Sequence, residues 1–82
     1  MSRLSTPVAT SPRPKPNVER LALARAEAGL TQEELARATE ISLASISKYE
    51  RGERSPRGPR LRRIAEVTGK PVPWFFEEAV AA

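Results

Sequence analysis

Closely spaced helix-start and helix-stop residues limit the folds open to this chain more than any other feature of its sequence. Asn17, Thr31 and Ser42 carry capping side chains, and Glu34 completes a capping box with Thr31. Glycines that end helices follow at positions 29, 52 and 69, and prolines that suit a first helical turn stand at 59, 71 and 73. These signals predict helices over residues 18–28, 32–39, 43–51, from about 59 to 68, and a short one up to 76. The apolar spacing is helical in every segment, so the sequence predicts an all-α fold of five short helices.

Each predicted helix has one apolar face, and together these faces give the expected core. The chain of 82 residues allows one small domain. Leu30 and Ile41 lie in the connections and can close the core from there. The expected helical core positions are Leu21, Ala24, Ala28, Leu35, Ala36, Thr39, Ile46, Tyr49, Leu61, Ile64, Ala65, Thr68, Val72, Phe75 and Phe76.

The composition excludes several classes of function. The chain contains no cysteine and no histidine, which removes disulfides, thiolate metal sites and the commonest general base. We therefore expect no catalytic residues, no metal ligands, no cofactor and no enzymatic activity. No apolar run is long enough to span a bilayer and the N-terminus does not resemble a signal peptide, so the expected compartment is the cytoplasm.

Positive charge is concentrated in two parts of the chain. The formal net charge is +4, and residues 50–63 hold six arginines against two glutamates. Residues 1–16 contain four of the eight prolines and three basic side chains. Alternating prolines disfavour a helix, so residues 1–16 are predicted to form a flexible basic arm ahead of a domain over 17–82. This distribution points to a polyanionic partner.

Residues 31–51 have the arrangement of a helix-turn-helix, with two capped helices, a short turn, and small Ala36 where the helices would cross. The segment GLTQEELA at 29–36, followed by ISKYERG at 46–52, resembles the phage lambda-type repressor and Cro (XRE-type) helix-turn-helix family. The likeness covers about residues 18–76. It implies a lambda-repressor-like DNA-binding domain whose third helix enters the major groove of double-stranded DNA.

The resemblance also implies roles for individual residues. An ion pair between Arg25 and Glu50 would tie the first helix to the third. Arg62 and Arg63 in the fourth helix are expected to face solvent. Base-reading side chains would be Leu43, Ala44, Ser47 and Lys48, and phosphate-contacting ones Gln32, Arg51, Arg54, Arg57 and Arg60.

Three features depart from the family pattern. Glu40 stands at a turn position that is usually glycine, where a left-handed backbone is costlier for any other residue. Leu43 and Ala44 are apolar, and can offer only contacts such as those with a thymine methyl group. The loop before the fourth helix is about one residue longer than in some relatives.

The function expected from this pattern is sequence-specific regulation of transcription. The chain would act as a repressor, associated with the nucleoid and bound to a palindromic operator as a homodimer. Trp74 and Phe76 are the expected dimer contacts. The alternative is an antitoxin or other protein-binding module that uses the same scaffold to bind a toxin.

Overall fold

The computed structural model describes residues 15–77, and every regular element in this part of the chain is helical. Its elements are α1 (Val18–Glu27), α2 (Gln32–Thr39), α3 (Leu43–Arg51), α4 (Gly58–Thr68) and a 3₁₀ helix (Val72–Phe76). The all-α prediction is confirmed for the described residues, but five α-helices are not. The fifth segment forms a 3₁₀ helix of five residues, with a proline in its first turn.

The predicted arm falls almost entirely outside the described residues, as do residues 78–82. The boundary at residue 17 therefore stays a prediction. Pro16, which was assigned to the arm, is buried in the structure, whereas its neighbour Lys15 is exposed.

The helix-turn-helix begins with the predicted caps. The backbone N–H of Glu34 donates to Thr31 Oγ1 at 3.0 Å, and the N–H of Thr31 donates to Glu34 Oε1 at 2.8 Å. Ser42 Oγ accepts from the N–H of Ser45 at 3.1 Å. These bonds satisfy amides that would otherwise lack a partner in the first turns of α2 and α3.

Asn17 starts α1 at the predicted residue but in a different way. Its side chain does not cap α1; its amide donates to the backbone oxygen of Glu77 instead. The N–H of Asn17 also donates to the carbonyl oxygen of Phe75 at 2.8 Å. The start of α1 and the end of the 3₁₀ helix are thus joined.

The core contains residues from all five helical elements and from the turn between α2 and α3. Phe75, which has no exposed surface, packs against side chains from the α-helices. Ala36 on α2 is 8% exposed, and Ile41 is buried in the turn after it, as expected. The buried apolar residues are Leu21, Ala24, Leu35, Ala36, Ile41, Ile46, Tyr49, Leu61, Ile64, Ala65 and Phe75.

Two expected core residues are in fact exposed. Ala28 lies just beyond the last residue of α1, where the chain turns away, and Phe76 is 38% exposed because the tight 3₁₀ turn places Phe75 inward instead. Within residues 15–77, no helix is long and apolar enough to cross a membrane.

Both helices of the helix-turn-helix end in left-handed backbone. Gly52 ends α3 with φ of +78°, and a β-carbon there would lie 3.3 Å from Val18 Cγ2. Both the conformation and the close approach to α1 therefore favour glycine. Glu40 ends α2 with φ of +60°, so a glutamate adopts the conformation that the sequence identified as costly.

Ala36→Glu should abolish folding, because it would place an unpaired carboxylate among the buried residues of the core. Ala38→Glu is the matched control, since Ala38 lies on the exposed side of the same helix. It should change the free energy of unfolding by no more than roughly 0.5 kcal/mol. Thermal unfolding followed by circular dichroism measures both, and equal melting temperatures would contradict the burial of Ala36.

Glu40→Gly should stabilise the domain. Left-handed backbone costs an L-residue roughly 1–2 kcal/mol, and glycine's greater freedom when unfolded offsets part of that gain, which leaves about 0.5–1 kcal/mol. Glu66→Gly, in the exposed interior of α4, should instead destabilise by about 1 kcal/mol. Urea denaturation compares the two, and changes of the same sign would refute strain at Glu40.

Candidate nucleic-acid interface

The outward side of α3 carries the residues predicted to read bases. Leu43, Ala44 and Lys48 are exposed, and Leu43 keeps 41% of its surface open to solvent. Ile46 and Tyr49 are buried on the opposite side of the helix. Helical spacing places positions 43, 44, 47 and 48 in one stripe. The helix therefore presents a continuous small and apolar surface followed by one cation.

Ser47, the fourth predicted base reader, is partly buried and hydrogen-bonded within the protein. Its hydroxyl donates to Gln32 Oε1 at 3.0 Å, and Gln32 Nε2 donates to Glu50 Oε1 at 3.0 Å. A carboxylate only accepts hydrogen bonds, so the amide must direct its nitrogen toward Glu50. The same nitrogen has a second N–H, which remains the group that Gln32 can direct to a phosphate.

Arg25 and Glu50 form the ion pair that the resemblance implies. Arg25 Nε and Nη2 donate to the two carboxylate oxygens at 2.7 and 2.9 Å, and Nη1 donates to the Leu30 carbonyl at 2.9 Å. The side chains are 22% and 9% exposed, respectively. The pair joins α1 to α3 and the turn after α1, which fixes the orientation of α3.

The environment of Glu50 favours its charged form. Burial raises the pKa of its carboxyl, but hydrogen bonds from Arg25 and Gln32 and the charge of Arg25 outweigh burial and hold the pKa below the ordinary value of 4.5. The hydrogen bond to Glu50 raises the pKa of Arg25. Both groups are charged at neutral pH.

The predicted phosphate-contacting arginines lie beyond the end of α3. Arg51 pairs with Glu53 at 2.8 Å, with both side chains more than half exposed. Arg54 and Arg57 are exposed in the loop. Arg60 Nη1 donates to the phenol oxygen of the buried Tyr49 at 2.8 Å.

Arg54, Arg57 and Arg60 share one surface groove, which also includes Arg63. Gln32 stands apart from them, at the start of α2 beside Ser47. The predicted contacts with bases and phosphates themselves stay predictions.

Sequence reasoning missed the bonds that hold these side chains. Nothing in the spacing of Tyr49 and Arg60 signals that the two meet across a loop. Ser47 and Gln32 belonged to separate predicted classes, one reading bases and the other contacting phosphate, and the structure links them. The available signal was their position in the helices. Ser47 lies one helical turn before Glu50 on α3, and Gln32 is the first residue of α2.

Comparison with known proteins agrees with this geometry. The sequence profile of the helix-turn-helix family matches residues 21–75. The chain belongs to the helix-turn-helix family. The resemblance to the XRE-type branch is thereby confirmed.

Two curated relatives are similar to the helix-turn-helix domain. Uncharacterized HTH-type transcriptional regulators of Sinorhizobium medicae (strain WSM419) and Rhizobium meliloti (strain 1021) are each 37% identical to it over 60 residues. The match covers 73% of this chain and 43% of each relative, so this chain spans less than half of their length. No solved structure matches significantly.

The Arg25–Glu50 pair should show strong energetic coupling in a double-mutant cycle. Arg25→Ala and Glu50→Ala should each cost roughly 1–3 kcal/mol of unfolding free energy, because each leaves a partly buried charge without its partner. The cycle for the exposed pair Arg51–Glu53 is the control and should give coupling near zero. Equal coupling for the two pairs would refute the structural role of Arg25.

The contribution of Glu50 to stability should disappear in acid. Its folded-state pKa is depressed, so the stabilisation is present above the unfolded-state pKa and is lost as pH falls through the folded-state value. The difference in unfolding free energy between the native chain and Glu50→Gln should therefore be constant near pH 7 and shrink below about pH 4.5. A difference that grows on acidification would contradict the ion pair as its source.

Proposed function

We propose that the chain is a sequence-specific regulator of transcription that binds double-stranded DNA through α3 and acts as a repressor. The observation that carries this proposal is the exposed stripe of α3, held rigidly by Ile46 and Tyr49 beneath it and by the Arg25–Glu50 pair. A capped helix fixed in this way can enter a major groove without rearrangement. The family membership supports the same function.

Leu43, Ala44 and Lys48 would read base edges. The two apolar side chains suit thymine methyl groups, and the ammonium of Lys48 suits the oxygen and nitrogen acceptors of guanine. Ser47 would contribute less directly, because its hydroxyl already donates to Gln32. The operator should therefore contain thymine opposite the start of α3.

Phosphate contacts would set the position of α3 in the groove. Gln32 lies at the start of α2 and keeps an amide N–H for this purpose. Arg51 can exchange Glu53 for a phosphate, because that pair is exposed to solvent. Arg54, Arg57 and Arg60 would follow the DNA backbone.

A homodimer would bring two such helices to two half-sites of a palindromic operator. Of the two predicted dimer-contact residues, Phe76 is the better candidate because 38% of its surface is exposed and open to a partner. Trp74 is half-buried: its ring packs edge-on against Phe75, and the cations of Arg20 and Lys70 lie 4.4 and 4.7 Å from its centre. Its role would be to support the segment that carries Phe76.

Selection of bound duplexes from a random pool tests this function. The native chain should select a two-fold symmetric site, and Lys48→Ala should change the selected bases within each half-site. Arg51→Ala should weaken binding to selected and random DNA to a similar degree, because a phosphate contact carries no sequence information.

An unenriched pool from the native chain would refute sequence-specific binding. An unchanged site with Lys48→Ala would remove Lys48 from base reading. Selection of single, asymmetric sites by a native chain that sediments as a monomer in analytical ultracentrifugation would refute the homodimer. A Phe76→Ala variant that dimerises as well as the native chain would remove Phe76 from the interface.

A further inference from the structure

A groove of about 560 Å³ runs between the end of α3 and the first two turns of α4. Its walls come from α3, from the loop before α4 and from α4 itself. Four of the seven residues that line it are arginines and none is acidic; they are Arg54, Arg57, Arg60 and Arg63, with Tyr49, Ser55 and Pro59.

Arg63 is the residue that the sequence did not place here. It was expected to share a solvent-facing surface with Arg62. Both are exposed, yet Arg63 lines the groove and Arg62 does not. Arg60 and Arg63 are three residues apart on α4, which places them side by side on one face of the helix.

Tyr49 gives this groove one fixed point. Its side chain is only 4% exposed, so the surrounding core holds the ring and its oxygen in place. The phenol oxygen accepts from Arg60 Nη1 at 2.8 Å. One of the five guanidinium N–H groups of Arg60 is thus used to orient the side chain, and the others can face an oxygen-rich ligand.

We propose that Arg63 joins the phosphate-contacting arginines of this groove with a direct contact of its own, and that Tyr49 positions Arg60 for its contact. Guanidinium groups match phosphate oxygens in geometry and charge. No acidic side chain lines the groove, so a bound anion would neutralise these arginines. The phosphates are those of the DNA backbone if the proposed function holds, and the inference in that form rests on it. A free oligophosphate offers the same chemistry, and the experiment distinguishes the two sources.

The first measurement is the salt dependence of binding to a random-sequence duplex, followed by fluorescence anisotropy. Arg63→Gln should reduce the log–log slope by about 0.9, the effect of losing one phosphate contact. Arg62→Gln is the matched control, with the same charge, helix and exposure, and should leave the slope unchanged. Equal slopes for the two variants would overturn the role of Arg63.

The second measurement isolates Tyr49. Tyr49→Phe keeps the buried ring and removes only the oxygen, and should weaken binding roughly twofold to tenfold. In an Arg60→Gln background the same substitution should have no further effect, because the residue it positions is gone. A loss of the same size in both backgrounds would overturn the positioning role, provided that circular dichroism shows each variant folded.

The third measurement uses tripolyphosphate alone, titrated into the full chain by calorimetry. Saturable binding that Arg63→Gln weakens and Arg62→Gln does not would support a groove for free oligophosphates. The same contrast seen only with duplex DNA would support the DNA backbone as the source. No contrast with either ligand would overturn the groove, while DNA binding by the native chain would leave the proposed function standing.

Discussion

The ion pair between Arg25 and Glu50 is the interaction on which the rest of the structure depends. One carboxylate accepts from an α1 side chain and from an α2 side chain, and it belongs to α3. Three helices are therefore fixed relative to one another at a single residue. Short helices bury little surface each, and a polar contact of defined geometry supplies an orientation that apolar packing alone leaves loose. The direction of α3 is set from within the protein before any ligand is present.

Two different electrostatic surroundings meet at the C-terminal end of α3. The buried carboxylate of Glu50 has Arg25 as an opposite charge at close range, which makes that region structural. Beyond Arg51, arginines outnumber acids and gather around an open groove, which makes that region suited to a polyanion. The change from one surrounding to the other occurs between Glu50 and the residues after Arg51. Tyr49 contacts both regions, because its ring lies in the core and its oxygen lies at the groove.

Local sequence signals predicted the α-helices well because helix ends are controlled by local chemistry. Thr31, Ser42 and Gly52 act through bonds and backbone angles that involve a few neighbours, so reading them needs no tertiary knowledge. The 3₁₀ form of residues 72–76 and the exposure of Phe76 depend on how that segment meets α1, which the sequence does not encode locally. The Tyr49–Arg60 and Ser47–Gln32 bonds were missed for the same reason, since each joins residues brought together only by the complete fold. The stripe on α3 was predictable from helical spacing and family resemblance; its contacts with DNA are beyond what either can establish.

The junction between Asn17 and Phe75 has a consequence for how the domain is made on a ribosome. The N–H of Asn17, at the start of α1, donates to the carbonyl oxygen of Phe75, which lies 58 positions later in the chain. The ring of the same Phe75 is fully buried in the core. Nascent chains that end before Phe75 can form the helix-turn-helix locally, but they leave an open site where that ring belongs. Release of the last turn from the exit tunnel is therefore the event that completes the domain, and until then α1 and α4 expose apolar surface to chaperones and proteases. A frameshift or early stop near residue 72 would yield a chain with every predicted DNA-contacting residue but without the buried ring of Phe75.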